Sequence, residues 1–173
     1  MSNEKLPYDD LPFDKWCQRV CHTGYGVGGY LDVNSRPMSP YYRELRVIYK
    51  GLDRFLEAQE KWDMYQTALK EIKEGKKKSH WIWFVFPQMR GLSKSNIGDY
   101  YGICGRTEAE EYIKHPLLRA RLVEATEAVY NNEKSVYEIF GKDAIKVRSC
   151  MLLFASVCDI QIFKKMVSRY GWQ

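Results

Sequence analysis

From Ser39 onward, apolar residues recur at helical spacing along most of the chain. Ser39 reads as an N-cap with Pro40 at the first helical position. Leu45, Ile48, Leu52, Phe55 and Leu56 then fall on one face, with Gly51 weakening or dividing the helix. Asp63, with Gln66 three residues on, predicts a capping box. The helix it opens turns Tyr65, Leu69 and Ile72 inward and ends at Gly75 in the C′ position. A short helical turn is expected around Asp99–Ile103. Thr107 with Glu110 predicts a capped helix through Ile113. Pro116 starts another, with Leu118, Leu122, Ala125 and Val129 inside. Ser135 and Glu138 form a third capping box, for a brief helix ending near Phe140 and Gly141. Asp143 caps a long helix carrying Val147, Met151, Phe154 and Cys158. Asp159 caps the last one, whose Ile160, Phe163, Val167 and Tyr170 precede Gly171.

The stretch Ser79–Gln88 breaks this rhythm. Trp81 through Phe86 is an unbroken apolar run. Left wet it would forfeit several kcal/mol of burial, at roughly 25 cal/mol per Å², so it belongs in the interior. Tryptophan, phenylalanine, valine and isoleucine favour a strand, yet a strand with no evident partner leaves its backbone groups unpaired. The run is therefore read as a short buried helix from Ser79, as N-cap, to the stop at Pro87. No hairpin dipeptide stands beside alternating runs, and no internal repeat is visible. The expected fold is all-α, a single multihelical orthogonal bundle domain around the buried aromatic segment 79–88. Residues 39–173 form that domain. Residues 1–38 form a partly irregular N-terminal accessory segment, with a short helix from Asp14 to Val20 and a loop containing Gly24, Gly26, Gly28 and Gly29.

Composition narrows the class. A chain of 173 residues, 45% hydrophobic, suits one well-buried domain. No stretch reaches the roughly 18 apolar residues of a membrane span, and MSNEKLPYDD has no apolar signal core, so a cytoplasmic protein without a membrane partner is expected. Five cysteines, an odd number, fit a reducing compartment better than a disulfide framework. The net charge of +5 accommodates a phosphate-bearing ligand but falls short of a nucleic-acid arm, and Lys70–Lys78 is only a weak candidate for one. Thirteen tyrosines and five tryptophans supply rigid surfaces, used mostly in cores and occasionally for base stacking. The segment GYGVGG lacks the dinucleotide fingerprint, and Cys17, Cys21 and His22 have no second ligand pair, so no metal site is expected. The absence of a nucleophile elbow, a Walker loop and a zinc-protease helix leaves any cofactor undefined.

KKSHWIWFVFPQ, GLSKS, Tyr101, HPLLRARL and FGKDAIKVRSCMLLF, in that order, resemble the successive motifs of domain-of-unknown-function family 1810. That is a bacterial group of small all-helical proteins, sometimes labelled calpastatin-like. The resemblance runs from about Leu52, in LDRFLEAQ, to about Tyr170. It implies a multihelical fold and no established activity. Lys78, Ser79, His80, Trp81, Trp83, Pro87, Gln88, Tyr101, His115, Pro116, Asp143, Lys146, Arg148 and Ser149 match the family pattern. In the late helix Cys150 and Leu152 stand where the family usually has a serine and a threonine, which argues against a hydroxyl cluster there.

Three groups carry the candidate chemistry. Lys78 and His80 lie near a helix start that favours anions, with Trp81 and Trp83 able to wall a pocket and Gln88 closing the segment. Against this, the lysines read more readily as a solvated run after a C-cap, while for His80 and Gln88 the ligand and structural readings balance. On the late helix, Asp143, Lys146 and Ser149 share one side and Arg148 projects away from Lys146; the plain alternative is a cap with an exposed ion pair. His115, directly before a proline, is biased to extended backbone and towards capping a helix rather than catalysis. Tyr101 offers a hydroxyl or fills the core. Together these predict a pocket beside the SHWIWFVFPQ segment that binds, and in one version processes, a phosphorylated or nucleotide-like anionic small molecule. The alternative is a non-catalytic protein–protein interaction or homo-oligomeric assembly module.

Overall fold

A computed structural model of the protein describes residues 51–173. The expectations placed on Asp14–Val20, the glycine loop, Cys17, Cys21 and His22, and the helix start at Ser39 and Pro40 lie outside the described residues.

Gly51, at φ 53°, turns the chain into α1 (Asp53–Glu60). A 3₁₀ turn (Lys61–Asp63) leads to α2 (Met64–Glu74), which ends at Gly75 in the left-handed conformation, φ 78°. After the link 76–81 comes α3 (Ile82–Val85), then α4 (Asn96–Tyr100), α5 (Arg106–Lys114), α6 (Pro116–Tyr130) and α7 (Val136–Phe140). A second 3₁₀ turn (Gly141–Asp143) precedes α8 (Ala144–Val157) and α9 (Gln161–Tyr170). Among the described residues there is no strand, so the domain is all-α; one isolated parallel bridge joins Met89 and Ile103.

The aromatic run is the hub. α3 packs against α1, α6 and α8. Trp81, Ile82, Val85 and Phe86 are buried with Phe55, Ile72, Leu118, Leu122, Val147, Met151, Phe154 and Phe163. Burial of each such side chain contributes about 1.5–3 kcal/mol, far more than the intrinsic preference of a four-residue helix. The helical reading holds, with two changes. Trp81, not Ser79, stands at the N-cap. Beyond Pro87 the chain also finds the partner that the sequence did not reveal: Ile103 N donates to Gln88 O at 2.9 Å, and Arg90 N to Ile103 O at 3.0 Å.

The caps divide by where each side chain finds its best partner. Ser135 and Glu138 form the expected box, and Ser95 caps α4. The expected caps at Asp63, Thr107, Asp143 and Asp159 do not form. Asp63 is left-handed, φ 55°, away from the extended geometry a capping side chain uses. Thr107 lies one residue inside α5, which Gly105 precedes. Asp159 pairs with Lys164. Asp143 turns to two lysines.

Candidate functional site

The link between α2 and α3 is held by one carboxylate. Glu71 Oε2 accepts from Lys78 N at 2.7 Å, Ser79 N at 3.0 Å and Trp81 Nε1 at 2.8 Å, while Oε1 accepts from Ser79 Oγ at 2.5 Å. Burial alone would raise the Glu71 pKa, but these hydrogen bonds outweigh it and hold the group at about 2. The far end of α3 is held by Gln59, whose Nε2 donates to Phe84 O at 2.8 Å and whose Oε1 accepts from Arg121 at 3.2 Å. Four helical residues are thereby fixed at both ends.

Beside this segment, chain-distant charges meet. Lys77 Nζ lies 2.9 Å from Asp143 Oδ2, and Lys146 Nζ lies 2.7 Å from Asp143 Oδ1. Lys77 Nζ is 5.3 Å from the Trp81 ring centroid and Lys146 Nζ is 5.7 Å from that of Trp83. Burial pushes the Asp143 carboxyl up, and hydrogen bonds from Lys146 and Lys77 more than reverse this, leaving it below the usual range. Trp83 Nε1 is buried and has no hydrogen-bond partner among the described residues. Two ammonium groups and one carboxylate therefore meet here, beside the Trp83 ring. The cluster is rich in donors and carries a surplus positive charge.

The residues singled out in the sequence divide sharply. Lys146 and Trp83 are brought together here. Trp81 is fully buried and its N–H is engaged by Glu71, so it fills the core and does not wall a pocket. Lys78 is exposed, with its ammonium 3.3 Å from Glu74. His80 is exposed and makes no hydrogen bond among the described residues. Gln88 is only 7% exposed, yet its side-chain amide makes no hydrogen bond among them. Tyr101 packs against Phe84 and Phe55. His115 caps α6, its Nδ1 accepting from Leu118 N at 3.3 Å. Arg148 is exposed and donates to Gln173 O at 2.9 Å. No hydrogen bond or ring contact joins Tyr101, His115 or Arg148 to Lys146. The contacts thus support a smaller site than the sequence suggested.

Lys77, read in the sequence as part of a solvated run, is the member that reasoning missed. The lysine run was visible, but only folding shows that Lys77 alone of the three meets Asp143. A second missed feature is structural. Arg54, buried, donates to both oxygens of buried Glu108, at 2.6 and 3.0 Å, and to the carbonyls of Gly51, Tyr100 and Gly102. All its partners are in place, so it ties α1 to α5 and offers no free group to a ligand.

Other chemistry is poorly supplied. Among the described residues no group of His, Cys, Asp and Glu is placed to hold a metal, and no helix is long and apolar enough to cross a membrane. Burial pushes the Cys104 thiol up to about 12 and raises Cys150 well above its ordinary range, away from thiolate reactivity. A groove of about 590 Å³ between α2 and α6 is lined by Glu74, Glu124, Glu127 and Glu133 with Lys73 and Lys134. Its carboxylates oppose an anion, and it does not include the lysine–tryptophan cluster.

Comparisons with known proteins bear on the fold and the family. No curated protein matches the chain. The crystal structure of the conserved hypothetical protein Rv1873 from Mycobacterium tuberculosis is similar at 41% sequence identity and a TM-score of 0.67, over 70% of this chain and 89% of that one. The family described as "Protein of unknown function (DUF1810)" matches residues 49–172. The chain belongs to that family.

Proposed function

We propose that the protein binds a phosphorylated or nucleotide-like small molecule at the Lys77–Asp143–Lys146–Trp83 cluster. The observation that carries this reading is the buried Trp83 Nε1–H, without an acceptor among the described residues, on a ring whose centroid is 5.7 Å from the Lys146 ammonium. A buried unpaired donor costs about 1–3 kcal/mol, a cost that a ligand oxygen removes on binding. Lys146 Nζ lies over the Trp83 ring, so an anion taken up by Lys146 would lie beside the indole. Hydrogen bonds from an ammonium to a phosphate oxygen are among the stronger kind.

The test is thermal unfolding of the full chain with nucleotides, sugar phosphates and ADP-ribose. A ligand at a hundred times its Kd stabilises by about 2.7 kcal/mol, which for a chain of this size raises Tm by roughly 5–10 °C. The shift is expected to disappear in K146M and to shrink in W83F. No stabilisation by any of these compounds, or equal stabilisation in K146M, refutes the reading.

A second reading, an interaction or homo-oligomeric module, draws on the exposed apolar side chains Trp62, Tyr137 and Ile145, 79%, 58% and 60% exposed. It predicts an oligomer by light scattering that Ile145→Asp dissociates; a monomer at all concentrations rejects it. Trp81 is buried and takes no part in such a contact.

A further inference from the structure

From the lysine pair we infer that Asp143 is an internal stand-in for the ligand, holding a phosphate-monoester site closed until a ligand displaces its carboxylate. The inference rests on the ligand reading above and deepens it. Asp143 precedes α8, where a carboxylate ordinarily caps the first turn, yet its side chain makes no cap hydrogen bond. It is turned to Lys77 and Lys146, one oxygen on each, at 2.9 and 2.7 Å. Lys77 has a side chain only 9% exposed, and Asp143 is its one anionic partner among the described residues. A buried ammonium requires an anion beside it, so the place between the lysines is kept filled, by the carboxylate or by something like it.

Two ammonium groups exceed the charge of one carboxylate. With its two oxygens committed to Lys77 and Lys146, Asp143 leaves one of the two positive charges uncompensated. A phosphate monoester presents three terminal oxygens and close to two negative charges, which match the pair. Exchange with Asp143 conserves both ammonium pairings and completes the charge balance. The released carboxylate, already 24% exposed, turns to water. Ligand affinity in the wild-type protein is therefore reduced by the competition of Asp143.

Inorganic phosphate and acetate, at ionic strength matched with chloride, are the probes, and intrinsic tryptophan fluorescence with Tm is the readout. In D143N, phosphate is expected to bind at least tenfold more tightly than in wild type, with a smaller gain for acetate. D143S, a second way of vacating the site, must show the same gain. A D143N protein that folds only when phosphate is supplied, and not with chloride, gives the same answer. A wild-type phosphate response in both D143N and D143S, or equal gains for acetate and phosphate, overturns the inference. Because the probe is inorganic phosphate on a variant, failure of nucleotides to bind the wild-type protein sinks the earlier reading without deciding this one.

Discussion

Glu71 offers the sharpest test of how the aromatic hub is held. It is 6% exposed and accepts four hydrogen bonds, from the backbone of Lys78 and Ser79, the Ser79 hydroxyl and the Trp81 indole. Its pKa of about 2 lies below the ordinary 4.5. A depressed carboxylate pKa means stability that is fully present above the unfolded value and is lost as pH falls from about 4.5 through about 2. At 1.36 kcal/mol per unit, that difference corresponds to about 3 kcal/mol at neutral pH. Glu71→Gln keeps the shape but sets an NH₂ group against a ring of N–H donors, so a loss of about 2–4 kcal/mol is expected at pH 7. Urea unfolding of both proteins, followed by circular dichroism in steps from pH 7 to pH 2, measures it. The gap between them should be near 3 kcal/mol at pH 7 and narrow toward zero as Glu71 protonates in the wild type. A variant within about 0.5 kcal/mol of wild type at pH 7, or a gap independent of pH, would refute the clamp.

Three further substitutions probe the frame around the site. Glu108→Gln strips the buried Arg54 guanidinium of its counter-charge and should cost about 3–5 kcal/mol in urea unfolding, whereas an exposed pair such as Lys70–Glu74 should cost under 1. His115→Ala removes the α6 cap, with an expected loss of about 1 kcal/mol that His115→Ser largely restores; equal stability of all three would contradict the Nδ1 contact. Gly102→Ala would place a Cβ 2.6 Å from the Arg90 Cα, beside the Met89–Ile103 bridge. The expected cost is about 1–3 kcal/mol, read as a Tm lowered by several degrees, and an unchanged Tm would show that the two segments are free to move apart.

The helices from α2 onward are legible because their signals are local. Leu69 and Ile72 share a face, Gly75 and Gly171 supply the left-handed C′ geometry, and Pro116 follows a residue whose own side chain caps the helix. The hub was legible too, since an apolar run from Trp81 to Phe86 has nowhere to go but inside. What the sequence conceals is the partner of each buried polar group. Glu71 sits in a helix where any acid reads as solvated, and only the turn after Gly75 brings four donors onto it. Asp143 stands at a helix start and reads as a cap; only the fold shows that Lys77 arrives to take it, with Lys146 from one turn along α8. Arg54 and Glu108 likewise lie on two separate helices, and only the fold pairs them. Conversely, Trp81 and Arg148 had the chemistry of ligand contacts, but the core and the Gln173 carbonyl engage them first.

The ligand reading stands or falls on Trp83. In a ¹H–¹⁵N spectrum of the full chain, five tryptophan indole signals are present to observe, and W83F assigns the one at issue. On titration with ADP-ribose or a simpler phosphate monoester, the Trp83 indole proton is expected to move downfield saturably and exchange more slowly with solvent, and K146M should abolish both changes. An unmoved Trp83 signal at millimolar ligand, or shifts confined to the other four indoles, would contradict the site.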